Sequence, residues 1–271
     1  MRSPRTFPQV DYMILESTYG NKLHDPIETY AVDLKKNILE TCIHKKGKLI
    51  IPAFSVGRTQ ELLFALNQLE LDGELPKLDY YVDSPLSTTI TGIVKRHPEC
   101  FNKAVQKLLK VDADPFAFKG LQYITDKRKS QELNNNHEPC VIISASGMAE
   151  AGRVKHHIAN SIENWRNTIL IIGYCEPQSL GARLKDHPEE VGIFGERKTV
   201  RADIQTINSM SAHADYHDLC QYLACQDFQE IKQLFIVHGE PHVQVEFKNR
   251  LLKKGFRDII IPKVHEEFGI S

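Results

Sequence analysis

The chain is expected to fold as an α/β protein built on a doubly wound parallel sheet. Two observations predict this. Short apolar runs alternate with longer amphipathic ones from end to end, and 41% hydrophobic content over 271 residues is enough for a buried core in one large or two ordinary domains. In order, strands are expected at Tyr12–Glu16, Lys48–Ala53, Leu78–Val82, Gln122–Thr125, Cys140–Ser144, Thr168–Gly173, Ile204–Ile207, Gln233–Val237 and Ile259–Ile261. Between them, Glu28–Ile43, Thr59–Leu71, Ser87–Arg96, Ala151–Ile162, Tyr216–Ala224 and His242–Lys253 carry apolar residues three and four apart, the spacing of one helix face. No internal repeat or low-complexity stretch interrupts the pattern.

Composition narrows the class further. No apolar run approaches the roughly 18 residues that cross a bilayer, and Met1-Arg2-Ser3-Pro4-Arg5 is not followed by a signal-peptide core, so a cytoplasmic protein with no membrane partner is expected. The six cysteines form no CxxC pair and are expected to be reduced, packed thiols. A net charge of −1 exerts no global pull on nucleic acid, so such binding requires a local basic surface. Lys45, Lys46 and Lys48, Lys127-Arg128-Lys129, and the group Lys248, Arg250, Lys253 and Lys254 are the candidates, though charge runs of this kind are commonly just solvated faces.

In doubly wound sheets ligands bind beyond the carboxyl ends of the strands, where helix amino termini hold anions. Three exits carry suitable residues: Ala53 to Thr59 with Ser55 and Arg58; Asp83-Ser84-Pro85; and Ser144-Ala145-Ser146-Gly147-Met148, followed by Arg153. One such turn is ordinary strand-to-helix chemistry. Three, each with a hydroxyl and two with an arginine, point to a phosphate-bearing ligand. The absence of a GxSxG elbow, an HExxH helix and a GxxxxGK[ST] loop sets those enzyme classes aside.

Three more residues sit where strands end. Glu16 closes Met13-Ile14-Leu15, His238 follows Leu234-Phe235-Ile236-Val237, and His213 lies in Ser211-Ala212-His213-Ala214-Asp215 before a helix. An isolated histidine is more often a surface or satisfied core residue than a ligand, but a histidine held at a rigid strand end suits a metal ligand or a proton carrier. A carboxylate beside such a ring orients it and keeps a proton available. Glu16 and His213 are expected to be neighbours, a pairing that a separation above about 8 Å would end, since a side-chain hydrogen bond spans roughly 3 Å.

Taken in order, these segments resemble the β-CASP family, the nucleic-acid-processing branch of the metallo-β-lactamase fold. The likeness runs through Glu16-Ser17-Thr18-Tyr19-Gly20, Ile51 to Glu61, Tyr81 to Leu86, Ile143 to Met148 with Gly152-Arg153, Gly173-Tyr174 with Gly181 and Arg183, and the two histidine motifs. It implies that Glu16 is the motif A acid, His213 the motif B histidine that this acid orients and that serves leaving-group or transition-state stabilisation, and His238 the motif C zinc ligand. A histidine at motif C is similar to the RNA-processing members. The architecture implied is a partial metallo-β-lactamase core in 1–22, a β-CASP cap in 23–199 and the C-terminal part of the core in 200–271. RNA is the implied partner, contacted through Ser55, Arg58, Asp83, Ser84, Ser144, Ser146, Gly147, Arg153 and Ser211. The implied chemistry is phosphodiester hydrolysis with two zinc ions, in which a bridging hydroxide attacks phosphorus.

The chain departs from the family pattern in one respect. The HxHxDH motif expected upstream of Glu16, a further histidine and a bridging aspartate are missing, and the twelve histidines contain no HxH pair. The expectation is a catalytically incomplete portion of a longer zinc-dependent RNA nuclease, its partner being the N-terminal half of the core, with either association into homo-oligomers through exposed core strands or disorder of the C-terminal segments. A non-catalytic RNA-binding or partner-binding protein, and one half of a split nuclease, stay open, as does the choice between endonuclease and exonuclease.

Overall fold

The computed structural model describes residues 5–25 and 29–270. Met1–Pro4 and the expected helix start at Glu28 lie outside the described residues. The chain divides into a larger unit, Pro26–Met210, and a smaller one formed by Ser3–Asp25 with Ser211–Ser271.

The larger unit is built on a six-stranded, all-parallel sheet. Its strands are β2 (Lys48–Pro52), β3 (Asp79–Asp83), β4 (Leu121–Tyr123), β5 (Cys140–Ser144), β6 (Thr168–Ile172) and β9 (Asp203–Ile207), in the order β4-β3-β5-β2-β6-β9. The central strands β2, β5 and β6 are buried at every position, because both faces of the sheet are covered. Alternate side chains serve opposite cores. Leu49, Ile51, Val141, Ile143, Leu170 and Ile172 pack with helices α1 (Tyr30–Ile38) and α2 (Arg58–Leu71). Ile50, Cys140, Ile142, Ile169 and Ile171 pack with α6 (Arg153–Ser161) and α7 (Leu180–Lys185) on the other face. The helix that leaves β2 and the helix that leaves β5 therefore go to opposite faces, although the strands are paired in register from Lys48↔Cys140 to Pro52↔Ser144. This is a topological switch point, and it puts the loops 53–57 and 145–152 side by side at the carboxyl edge. Ala53 N–H donates to Ser144 O across them at 2.9 Å.

Sequence periodicity overlooked several elements of this unit, among them the short helices α4 (Lys103–Leu108) and α7. Helix α5 (Lys127–Asn135) buries only Ser130 and Leu133, so it carries almost no apolar stripe; it is started by Asp126, whose carboxylate accepts from Arg128 N–H and Lys129 N–H. The run Lys127-Arg128-Lys129 is thus a helical first turn. An antiparallel hairpin, β7 (Glu190–Ile193) with β8 (Glu196–Thr199), also went unread because β8 is almost wholly exposed. The helix expected over 28–43 runs as α1 to Ile38 and continues as a wider π-helix over Leu39–His44. Lys48 is corrected as a surface cation: it is 7% exposed, and its ammonium donates to Leu133 O at 2.7 Å.

The division between the two units falls between Met210 and Ser211. The physical reason is β9, which continues the six-stranded sheet by pairing with β6 along all five of its residues, Thr168↔Asp203 to Ile172↔Ile207.

The smaller unit holds a three-stranded parallel sheet, β1 (Tyr12–Glu16), β10 (Gln233–Val237) and β11 (Ile259–Ile260), in the order β1-β10-β11. Met13, Leu15, Leu234 and Ile236 face α8 (Tyr216–Leu223) and α9 (Pro241–Lys253), where Leu219, Leu223, Phe247 and Leu251 complete a core. The outer face of β1 is open, with Ile14 73% exposed. Among the described residues no helix is long and apolar enough to cross a membrane.

Candidate active site

Glu16 and His238 are brought together by strand register. β1 and β10 run parallel from Tyr12↔Gln233 to Glu16↔Val237, so both chains leave the sheet at the same level. Ser17 locks the exit: its N–H donates to His238 O at 3.1 Å and its hydroxyl to Val237 O at 3.0 Å. Gly239 is required by this closeness, because a Cβ there would lie 2.7 Å from Ser17 Oγ. His238 itself adopts φ 51°, a left-handed conformation that costs a non-glycine residue energy and recurs at functional sites.

His213 is delivered by a loop that is tied down on every side. Its N–H donates to Ser211 Oγ at 3.1 Å, and its carbonyl accepts from His24 Nε2 at 2.8 Å. Asp215 accepts from His24 N–H and caps α8 through His217 N–H and Asp218 N–H, each at 2.9 Å. Burial pushes the Asp215 carboxyl up, but these three backbone donors outweigh it and hold the group below the usual carboxylate range.

The carboxylate of Glu16 is itself fixed by two N–H groups, from Thr18 at 2.9 Å and Ala214 at 3.2 Å. Its Oε2 lies 3.5 Å from His213 Nδ1 and 3.9 Å from His238 Nδ1. The Glu16–His213 separation is thus far inside the 8 Å limit set from sequence. The two rings stack at 5.1 Å between centroids. Thr18, to which sequence reasoning assigned no role, places its hydroxyl 3.0 Å from His238 Nδ1 and 3.3 Å from His213 Nδ1. Thr18 and Asp215 were inside the quoted motifs; His24, outside them, carried no signal.

These donors fit part of a zinc site. Ligand atoms of Glu16, His213 and His238 all lie within 4.8 Å of one another, and tetrahedral zinc at about 2.0–2.1 Å from each ligand spaces them by roughly 3.3 Å. Two imidazoles and a carboxylate suit one ion. They are too few for two.

Several phosphate contacts expected in the larger unit are corrected by burial. Asp83 is fully buried and accepts from Arg153 Nη1 at 2.7 Å, His157 Nε2 at 2.6 Å and Ser130 Oγ at 2.5 Å. A buried carboxylate with three donors is spent inside the fold. Ser144 is buried and donates to Asp83 O, and Ser84 is the N-cap of α3 (Pro85–Lys95), accepting from Ser87 N–H. Arg58 is 8% exposed and ion-paired with Glu61 one turn along. Gly147 is buried because Phe54 packs where its Cβ would be. Arg153 donates to Ile124 O and Thr125 O besides Asp83, yet keeps part of its surface open. Ser55, Ser146 and, in the smaller unit, Ser211 remain partly exposed.

Comparison with known proteins fits this arrangement. Residues 59–184 match the Beta-Casp domain family, and residues 197–262 match the family described as Zn-dependent metallo-hydrolase RNA specificity domain. The chain belongs to the β-CASP family of the metallo-β-lactamase fold. It is 31% identical over 237 residues to Ribonuclease TTHA0252 of Thermus thermophilus, a match spanning 88% of this chain and 53% of the relative. It is 28% identical over 257 residues to Transcription termination factor FttA of Methanosarcina mazei, spanning 92% of this chain and 40% of that protein. Similarity to an RNase J-like protein of Methanocaldococcus jannaschii is 28% over 247 residues, spanning 90% and 56%. The chain thus spans about half the length of the curated relatives it matches.

Proposed function

We propose that this chain supplies the RNA-handling and leaving-group part of a zinc-dependent RNA nuclease. The observation that carries the reading is the Glu16–His213–His238 cluster, held by backbone hydrogen bonds at the carboxyl ends of two parallel strands in a β-CASP family member. His213, oriented through Nδ1 by Glu16, donates the proton that the departing ribose oxygen takes up. His238 is the zinc ligand of the set, and zinc, when bound, supplies Lewis acidity and lowers the pKa of water. With His213 given to proton donation and Glu16 to orienting it, His238 is the zinc ligand that this cluster supplies among the described residues, and a two-ion centre needs further ligands beyond the cluster. The larger unit holds RNA through local cations and loop hydroxyls, since the overall charge of −1 does not attract it.

The test is a salt titration of single-stranded RNA binding by the 271-residue chain, together with zinc analysis and an RNA cleavage assay after chelator treatment and zinc reconstitution. Expected are affinity that falls steeply with salt, less than one equivalent of zinc and no cleavage. Absence of binding at low salt refutes the RNA reading. Cleavage that requires zinc and is lost in His213→Ala refutes the need for further ligands. In a protein that joins this sequence to those ligands, His213→Ala is expected to lower kcat by about 10²–10⁴-fold with RNA affinity retained.

A further inference from the structure

A cavity of about 640 Å³ lies in the larger unit, walled by α5, by α6 with the loop before it, and by the tip of the β7–β8 hairpin. It shares no lining residue with the Glu16, His213 and His238 cluster. Its size falls among small-molecule sites, roughly 300–1,000 Å³. Lys127, Arg153 and Lys155 bring three cations to it, of which Arg153 is paired with Asp83 and Lys155 with Glu150, and Phe194 brings an aromatic face.

Phe194 is at odds with the turn it occupies. It stands at φ 54° with Gly195 at φ 82°, the two left-handed residues joining β7 to β8. Such turns favour Asn-Gly, because a bulky residue is strained there. Its side chain adds nothing to the core, being 54% exposed. The ring is held nonetheless, 4.5 Å between centroids from His156 and tilted by 31°, with Lys155 Nζ 5.4 Å from its own centroid. A strained, exposed and oriented aromatic at the rim of a cationic cavity is what a base-stacking platform requires.

The cations divide into two kinds. Arg153 is hydrogen-bonded to Asp83 and two carbonyls, and Lys155 is paired with Glu150 at 3.1 Å, so both are anchored in the wall. Lys127 is exposed in the first turn of α5 and is the cation open to a phosphate.

We propose that this cavity binds one nucleotide unit, with the base stacked on Phe194 and the phosphate on Lys127. The unit is either part of a single-stranded RNA or a free nucleoside monophosphate. The inference rests on RNA being the ligand, as read above, and not on cleavage.

The test compares the full chain with Phe194→Asn, Phe194→Tyr and Lys127→Ala, using a fluorescein-labelled 12-mer of oligoadenylate and unlabelled AMP as competitor. Phe194→Asn installs the residue the turn prefers, so it is expected to melt at or above the wild-type temperature while binding the 12-mer about tenfold more weakly, the worth of one stacked base. Phe194→Tyr restores affinity. Lys127→Ala makes the slope of log affinity against log salt shallower by about 0.7, one phosphate contact on a single strand. AMP competition in the wild type that is lost in Phe194→Asn identifies the free nucleotide as a ligand; no competition, with the 12-mer still weakened, identifies the RNA chain. A wild type that binds the 12-mer no better than Phe194→Asn overturns this inference and leaves the RNA reading standing. No binding of either probe overturns both.

Discussion

Replacing Asp83 with asparagine keeps the size of the side chain and removes its charge. The carboxylate has no exposure to water and accepts from Arg153, His157 and Ser130, which tie the end of β3 to α5 and α6. In Asp83→Asn one acceptor oxygen becomes a donor amide facing other donors, and the guanidinium loses its counter-charge. Breaking a buried ion pair in this one-sided way costs about 3–5 kcal/mol. For a unit of this size each kcal/mol is worth about 2–4 °C, so a fall in melting temperature of roughly 6–20 °C is expected. Calorimetry or circular dichroism of both proteins measures it. The pH dependence has a definite sign. Burial pushes the Asp83 carboxyl up, but its hydrogen bonds from His157, Ser130 and Arg153 win and hold it below the usual carboxylate range. A depressed folded pKa contributes stability that is fully present above the ordinary aspartate value of about 3.9 and is lost as pH falls through the folded value. The part of the stability gap that comes from the Asp83 charge is therefore expected to be lost in acid. A variant that melts within 1 °C of wild type while losing RNA affinity refutes the structural role and restores Asp83 as a ligand contact.

Three further outcomes are expected. Thiol alkylation of the native chain modifies the exposed Cys100 and Cys225 first, because the Gln226 amide lowers the Cys225 pKa, whereas burial pushes Cys42 up to about 12 and Cys140 to about 11; fast native labelling of Cys42, read by mass spectrometry, contradicts the packing. Gly239→Ala drives a methyl to within 2.7 Å of Ser17 Oγ and is expected to destabilise the smaller unit by about 1–3 kcal/mol, seen as an earlier denaturant midpoint; an unchanged midpoint rejects the close approach. Self-association, if it uses the open face of β1, is expected to be weakened by Ile14→Lys in sedimentation velocity, and an oligomer that ignores this change assembles elsewhere.

Much of the frame was legible because a doubly covered parallel sheet writes itself into sequence as apolar runs. Strands β1, β5 and β10 coincide with their expected limits, Tyr12–Glu16, Cys140–Ser144 and Gln233–Val237. Position at a strand end likewise marked Glu16 and His238, since strand exits are where such folds hold their reactive groups. What periodicity cannot register is an element that buries little. Helix α5 depends on the Asp126 cap, and β8 on its partner in the hairpin.

By itself the sequence determined the fold class and most of the strands and long helices, and it marked the three residues of the cluster by their places at strand exits, because each follows from local residue type and spacing. Only tertiary structure decided which polar residues are spent inside. Asp83, Ser84, Ser144 and Arg58 share their turn chemistry with Ser55 and Ser146, and burial with full hydrogen bonding separates the two groups. Tertiary structure also assigned β9 to the larger sheet, seated Thr18 between the two imidazoles and turned Phe194 toward a cavity. All of these depend on contacts between residues far apart in the chain, and such contacts leave no trace in local pattern.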